Sequence, residues 1–171
     1  MGGKSGNQDT WVTELSADIV QALKPQLLTL LYIFCDSSSK EALTPIRLVK
    51  GLIVQLLASH PKLAYQNPSV YTIPRFKKTI TFRQVWRIFE QLASQVPRLF
   101  IIIDRIEECE ADEQADLKNN LLPSLIDFID QSESASVVVT SIFDPPLELR
   151  DNTALQDIYI DTGKRPNKRD K

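Results

Sequence analysis

Apolar residues fall along this chain in two alternating rhythms. From Asp9 to Leu23, Val12, Leu15, Ile19, Val20 and Leu23 recur at helical spacing, and Pro25 closes the segment. Leu27–Cys35 is a continuous apolar run of strand length, the pattern of a strand covered on both faces. After the polar stretch DSSSKEA, Thr44 stands ready to cap a helix with Pro45 at its first position. Val49, Leu52, Ile53, Leu56 and Leu57 form that helix's apolar stripe. Residues 61–78 hold three prolines and little periodicity, which predicts an irregular connection. Thr81 with Gln84 three residues on is a capping box ahead of Val85, Ile88, Phe89, Leu92 and Val96, and Pro97 ends the element.

A second apolar run, Leu99–Ile103, stops at Asp104. The segment DEQADLKNNLLPSLIDFIDQS reads as helix, with a kink or restart at Pro123. Ser136–Ser141 (SVVVTS) reads as a third strand, DPPLELRDN as a turn with a short helix, and Asp157–Asp161 as a weaker last strand. Strands alternating with helices predict parallel βαβ units. The fold class expected is α/β, a three-layer sandwich on a mainly parallel sheet, in one domain over residues 1–171. Sheets of this kind bind ligands at the carboxyl ends of their strands. Asp104 lies at one such end, and Thr140 and Ser141 at another.

Composition narrows the function classes. The chain has 171 residues, 43% hydrophobic and 25% charged, with a formal net charge of −2. No global field steers it to nucleic acid or to an anionic membrane. The basic tail, residues 163–171, lacks interleaved aromatics and reads as solvated. Two cysteines, Cys35 and Cys109, and a single histidine, His60, give neither a disulfide framework nor zinc spacing. His60 falls at a helix end, where it reads as a cap. Reduced thiols, no signal-peptide core and no run long enough to span a bilayer predict a cytoplasmic protein.

The stretch RLFIIIDRIEECE, Arg98 to Glu110, carries the chemistry. It drives a buried strand into Asp104, with Glu107, Glu108 and Glu110 just beyond. A rigid strand can hold such a carboxylate on a magnesium ion or its waters, while an acid three or four residues on orients an attacking water. This is the logic of a Walker B segment; the competing reading is an Asp that caps the next element. The partner required is a phosphate cradle, G-x-x-x-x-G-K-[ST]. Gly3, Lys4 and Ser5 supply its last three positions, and its first glycine would fall upstream of Met1.

Together these stretches resemble the NACHT domain of fungal STAND-class P-loop NTPases, the nephrocystin-like N-terminal domains. LYIFCD (Leu31–Asp36) is similar to that family's YFFCD strand, and LVKGLIVQLL (Leu48–Leu57) to its ILRSLIYQLL helix. FIIIDRIEEC (Phe100–Cys109) is similar to its hhhhDALDEC Walker B, and VVVTSIFDPP (Val137–Pro146) in part to its TSRPEP sensor strand. Ile142 stands where the family has Arg.

The resemblance implies a nucleotide-binding module of a signalling switch, taking ATP or GTP with Mg²⁺. Lys4, with Gly3, would touch the phosphates, and Ser5 and Asp104 would hold Mg²⁺. Glu107 or Glu108 would polarise the hydrolytic water, and Thr140 and Ser141 would lie near the γ-phosphate. It also implies a domain truncated at both ends, lacking its first strand. Weak or absent nucleotide binding and hydrolysis are then expected, as is self-association through unpaired strand edges. The alternative is a non-catalytic interaction or scaffold module, the remnant of a degenerate NTPase. No nucleic-acid or membrane partner is expected.

Overall fold

Among the described residues, three parallel strands form one sheet in the order β1-β2-β3, with β2 in the centre. They span Thr29–Phe34 (β1), Leu99–Asp104 (β2) and Ala135–Val139 (β3). The structure is a computed structural model and describes residues 9–26, 28–36, 43–66, 81–110 and 117–141. The helices are α1 (Asp9–Leu23), α2 (Pro45–Ser59), α3 (Lys62–Gln66), α4 (Phe82–Ala93) and α5 (Leu122–Gln131). Register is in step across the sheet: Phe34 lies beside Asp104, and Ile103 beside Val139. The carboxyl ends of the strands therefore come level at Asp104.

Alternation along β2 builds the layers. Leu99, Ile101 and Ile103 face the main core, where they join Leu52 and Leu56 of α2, Phe89 of α4 and Phe128 of α5. Ile102, also fully buried, lies on the opposite face with Asp104, and α1 packs there through Val12 and Val20. The result is the expected α/β sandwich of helix, sheet and helices. An aromatic group locks α4 to α5: the Trp86 and Phe89 rings lie 5.3 Å apart, and Phe89 and Phe128 5.5 Å. Such pairs add to their burial about 0.5–1.5 kcal/mol each.

The local signals act as expected. Thr44 caps α2 through the Arg47 N–H, with Pro45 inside the first turn. Thr81 and Gln84 close a reciprocal capping box on α4. His60 is the C-cap of α2, its backbone N–H donating to Leu56 O, and its Nε2 lies 2.7 Å from Thr29 Oγ1 at the start of β1. The restart at Pro123 also appears. A π-helical turn, Leu117–Leu121, leads directly into α5, with Pro123 in the first turn of α5.

Two differences have simple causes. The stretch 61–78, expected to be irregular, opens with α3: Leu63 buries its side chain, and the turn is closed by Leu63 N–H to His60 O and Ala64 N–H to Pro61 O. Helix α4 stops at Ala93 rather than running to Pro97, because Ser94 and Gln95 form a turn that still delivers Val96 to the core. The weak strand Asp157–Asp161, the preceding turn and the basic tail lie outside the described residues.

Among the described residues, strand β1 has β2 on one side only, and its other edge meets a side chain. Gln55 of α2 accepts from the Tyr32 N–H at 3.0 Å and donates to the Tyr32 carbonyl at 2.7 Å. One amide thereby satisfies an edge residue that would otherwise template another strand. Gly51 of α2 faces the same strand, where a Cβ would meet the tip of the Ile33 side chain, Cδ1, at 2.9 Å. Gln55→Leu keeps the bulk and removes both bonds, so it should cost about 1–3 kcal/mol in chemical denaturation. Gln55→Glu, which can still accept from Tyr32 N–H, should fall between the two; equal stability of all three proteins would show that the edge does not depend on this amide.

Candidate functional site

The strand end expected to be chemically active is a closed knot of hydrogen bonds. Asp104 is 1% exposed, the last residue of β2 and on the α1 face. Its Oδ1 accepts from Ser16 Oγ at 2.6 Å and from Thr140 Oγ1 at 2.6 Å. Its Oδ2 accepts from Thr13 Oγ1 at 2.8 Å. Hydrogen bonds to a charged acceptor are the strong ones, each worth about 1.5–3 kcal/mol. The donors come from two elements far apart in sequence, α1 and the end of β3.

Thr140 is placed by the backbone of β2. Its N–H donates to Ile103 O at 2.9 Å and its carbonyl accepts from Ile106 N–H at 3.0 Å. Its hydroxyl accepts from Arg105 N–H at 3.0 Å while donating to Asp104. Arg105 has φ 53° and ψ 54°, the left-handed region that side chains other than Gly and Asn rarely adopt. That conformation starts the short 3₁₀ turn Ile106–Glu108, directly after the N–H that donates to Thr140. Such outliers mark sites where the surroundings over-determine the backbone.

The acids beyond Asp104 behave differently from one another. Glu108 pairs with the Arg105 guanidinium through Nη2. Glu107 has two buried carboxylate oxygens that accept no hydrogen bond, and Arg105 Nε stands 3.6 Å from its Oε1. Glu110 is exposed, and its N–H donates to Leu43 O. Among the described residues, no group of three or more His, Cys, Asp or Glu is placed to hold a metal ion. The acidic cluster of the sequence is thus one buried carboxylate held by hydroxyls and two acids gathered on Arg105.

Of the residues expected at the site, Asp104, Glu107, Glu108 and Thr140 come together at the carboxyl end of β2, with Ser141 next in the chain and exposed. Gly3, Lys4 and Ser5 lie outside the described residues. Thr13 and Ser16 were not among the expected residues. A signal for Ser16 existed: it sits midway between Val12 and Val20 on the buried stripe of α1, and a fully buried hydroxyl on such a stripe needs an acceptor. A cavity of ≈ 160 Å³ lined by Gln26, Leu28, Arg98 and Ser134 lies at the other, amino end of the strands, away from Asp104.

Both cysteines are buried, and neither is in a disulfide. Burial pushes the Cys35 thiol up from 9.0 to about 12, helped by the negative charge of Cys109, Asp104, Glu107 and Glu108. A thiolate is the reactive form, so this environment makes Cys35 inert.

Residues 12–142 match the family model described as Nephrocystin 3, N-terminal. The match takes in Thr13, Ser16, Asp104, Glu107, Glu108, Thr140 and Ser141, and leaves Gly3, Lys4 and Ser5 outside. No curated protein and no solved structure matches the chain.

Cys35 yields a pH test. Its folded pKa lies above the unfolded one, so between about 9 and about 12 the folded state holds a proton that the unfolded chain has released. This contribution to stability is fully present below the unfolded pKa and falls as pH rises through that window. Native protein at pH 8 should react with an aromatic disulfide reagent far more slowly at Cys35 than the denatured chain does, and Cys35→Ala should flatten part of the alkaline loss of stability. Rapid native labelling at Cys35 would contradict the buried, like-charged setting.

Proposed function

Because the chain belongs to the Nephrocystin 3, N-terminal family, we propose that it is a NACHT-type module of a STAND signalling switch, binding ATP or GTP with Mg²⁺ weakly and without turnover. The observation that carries this reading is the position of Asp104. It ends the central strand of a parallel sheet, at the edge where α/β folds take their ligands, with hydroxyls from two other elements converging on it.

The donor set has the right chemistry for the ion. Magnesium takes oxygen ligands, one or two carboxylates with waters and substrate phosphates. Asp104 offers the carboxylate and the neighbouring hydroxyls further oxygen donors, while Glu107 has buried oxygens without a hydrogen bond. When bound, Mg²⁺ with a nucleotide supplies neutralisation of the phosphate oxygens. Asp104 would hold the ion. Thr140, already fixed against β2, and Ser141 would line the γ-phosphate side. Between the two acids, Glu107 suits the orienting of a water better than Glu108, whose carboxylate is engaged by Arg105.

Weak binding follows from the same geometry. Three hydroxyls already fill most of the acceptor capacity of Asp104, leaving a cation one open position at Oδ2 unless it displaces a bond that the fold has made. This closure also favours a second reading, an interaction module that keeps the α/β body and has no nucleotide chemistry. Titration with a fluorescent ATP or GTP analogue separates them. On the first reading binding appears only near ~1 mM, where the free energy is about −4 kcal/mol, requires Mg²⁺ and is lost in Asp104→Ala. No signal at any concentration supports the interaction module. Tight, Mg²⁺-independent binding that survives Asp104→Ala would remove Asp104 from the site.

A further inference from the structure

We infer that Thr13 is the hydroxyl partner of Asp104, that Val12 stands where the phosphate-binding pattern has its lysine, and that the strand end is closed by protein hydroxyls in place of a metal ion. The inference uses the proposed nucleotide fold only to say which positions correspond; the hydrogen bonds stand without it.

In G-K-[ST] the hydroxyl directly follows the lysine and shares the magnesium ion with the Walker B carboxylate. A residue that reaches that carboxylate from the first helix therefore marks the register of the pattern. Here the residue is Thr13, whose Oγ1 donates to Asp104 Oδ2 at 2.8 Å. The preceding residue is Val12, 5% exposed and packed on the sheet side of α1. A buried valine supplies no cation to a phosphate. The triplet Gly3-Lys4-Ser5 matches the pattern in letters and precedes α1 in the sequence, whereas the α1 residue that meets Asp104 Oδ2 is Thr13. The family match includes Thr13 and excludes that triplet.

Ser16, the residue three beyond Thr13, gives the second half of the device. It is fully buried, and its hydroxyl reaches Asp104 Oδ1 at 2.6 Å, the same oxygen that Thr140 reaches. Three hydroxyls on two oxygens satisfy the carboxylate from inside the fold. The clasp ties α1 and the end of β3 to the end of β2, and it needs neither cation nor nucleotide to form.

The test uses the full chain in EDTA, so no ligand is involved. Thr13→Val exchanges the hydroxyl for a methyl of similar size and should lower Tm by several degrees, roughly 5 °C. Thr13→Ser should recover most of that loss, and Ser5→Ala should shift Tm by far less. Losses from Thr13→Val and Asp104→Asn should be strongly non-additive in the double variant, since they remove one bond. Mn²⁺ titration of the unsubstituted protein, read by electron paramagnetic resonance, should show no site at Asp104 tighter than millimolar, and this arm holds even where a variant fails to fold. Equal melts for Thr13→Val and the parent, or a loss with Ser5→Ala as large as with Thr13→Val, would overturn the assignment. So would tight Mn²⁺ binding abolished by Asp104→Asn. Absence of nucleotide binding with a normal Thr13 effect in EDTA would sink the nucleotide reading and leave the clasp standing.

Discussion

A carboxylate buried at the end of an apolar strand must be satisfied by something, and much of this fold is arranged to satisfy it. Asp104 is almost wholly removed from water and follows Ile101, Ile102 and Ile103, all fully buried. An ionised group in that position without partners costs several kcal/mol even after the protein relaxes. Three neutral hydroxyls meet it. Each hydroxyl fixes a separate relation. Thr13 and Ser16 set the rotation and height of α1 over the sheet, and Thr140 sets where the chain leaves β3. The α1 layer has only Val12 and Val20 as buried apolar anchors, so its docking relies on these polar contacts more than that of α2, α4 or α5, which share an extensive apolar core.

The turn after Asp104 serves the same constraint. A left-handed Arg105 costs about 1–2 kcal/mol over an ordinary conformation. In return its N–H meets the Thr140 hydroxyl, which frees that hydroxyl's proton for Asp104 and fixes the direction of the bond. The side chain then turns to Glu107 and Glu108, so the cation nearest to Asp104 in sequence is spent on other acids. The negative charge gathered here is felt by Cys35, whose N–H donates to the Asp104 carbonyl and whose thiol is held protonated. Backbone strain, ion pairing and thiol chemistry are thus local consequences of where one strand stops.

How much of this could be read from the sequence depends on the range of the interaction. Periodicity and capping are local, and they located α1, α2 and α4, the Thr81–Gln84 box, the Pro123 restart and all three strands. The site was half legible. Asp104 and Thr140 stand out because an abrupt polar residue ends an apolar run. Thr13 and Ser16 do not, because a stripe reading counts apolar positions and passes over a small hydroxyl. Their acceptor lies 91 and 88 residues away, beyond any local pattern. Gln55 escaped for the same reason: a polar residue on a helix reads as solvated until a strand edge is seen beneath it. Gly3, Lys4 and Ser5 drew attention by matching a motif in letters, and a motif is confirmed only by its structural setting.

The clasp also limits what a ligand could do here. A ligand shifts a conformational equilibrium only by the difference in its affinity for the two states. A ligand that displaces the donors of Asp104 gives up as many as three hydrogen bonds, and the groups it releases belong to α1 and to the exit of β3. Of the two, Thr140 stays tied to β2 by its N–H and to the turn after it by its carbonyl, whereas Thr13 and Ser16 are carried by helix α1 and reach Asp104 through their side chains. Helix α1 is therefore the element whose position is coupled to the state of Asp104. The main core, with α2, α4 and α5 packed around Phe89, would stay in place on the other face of the sheet.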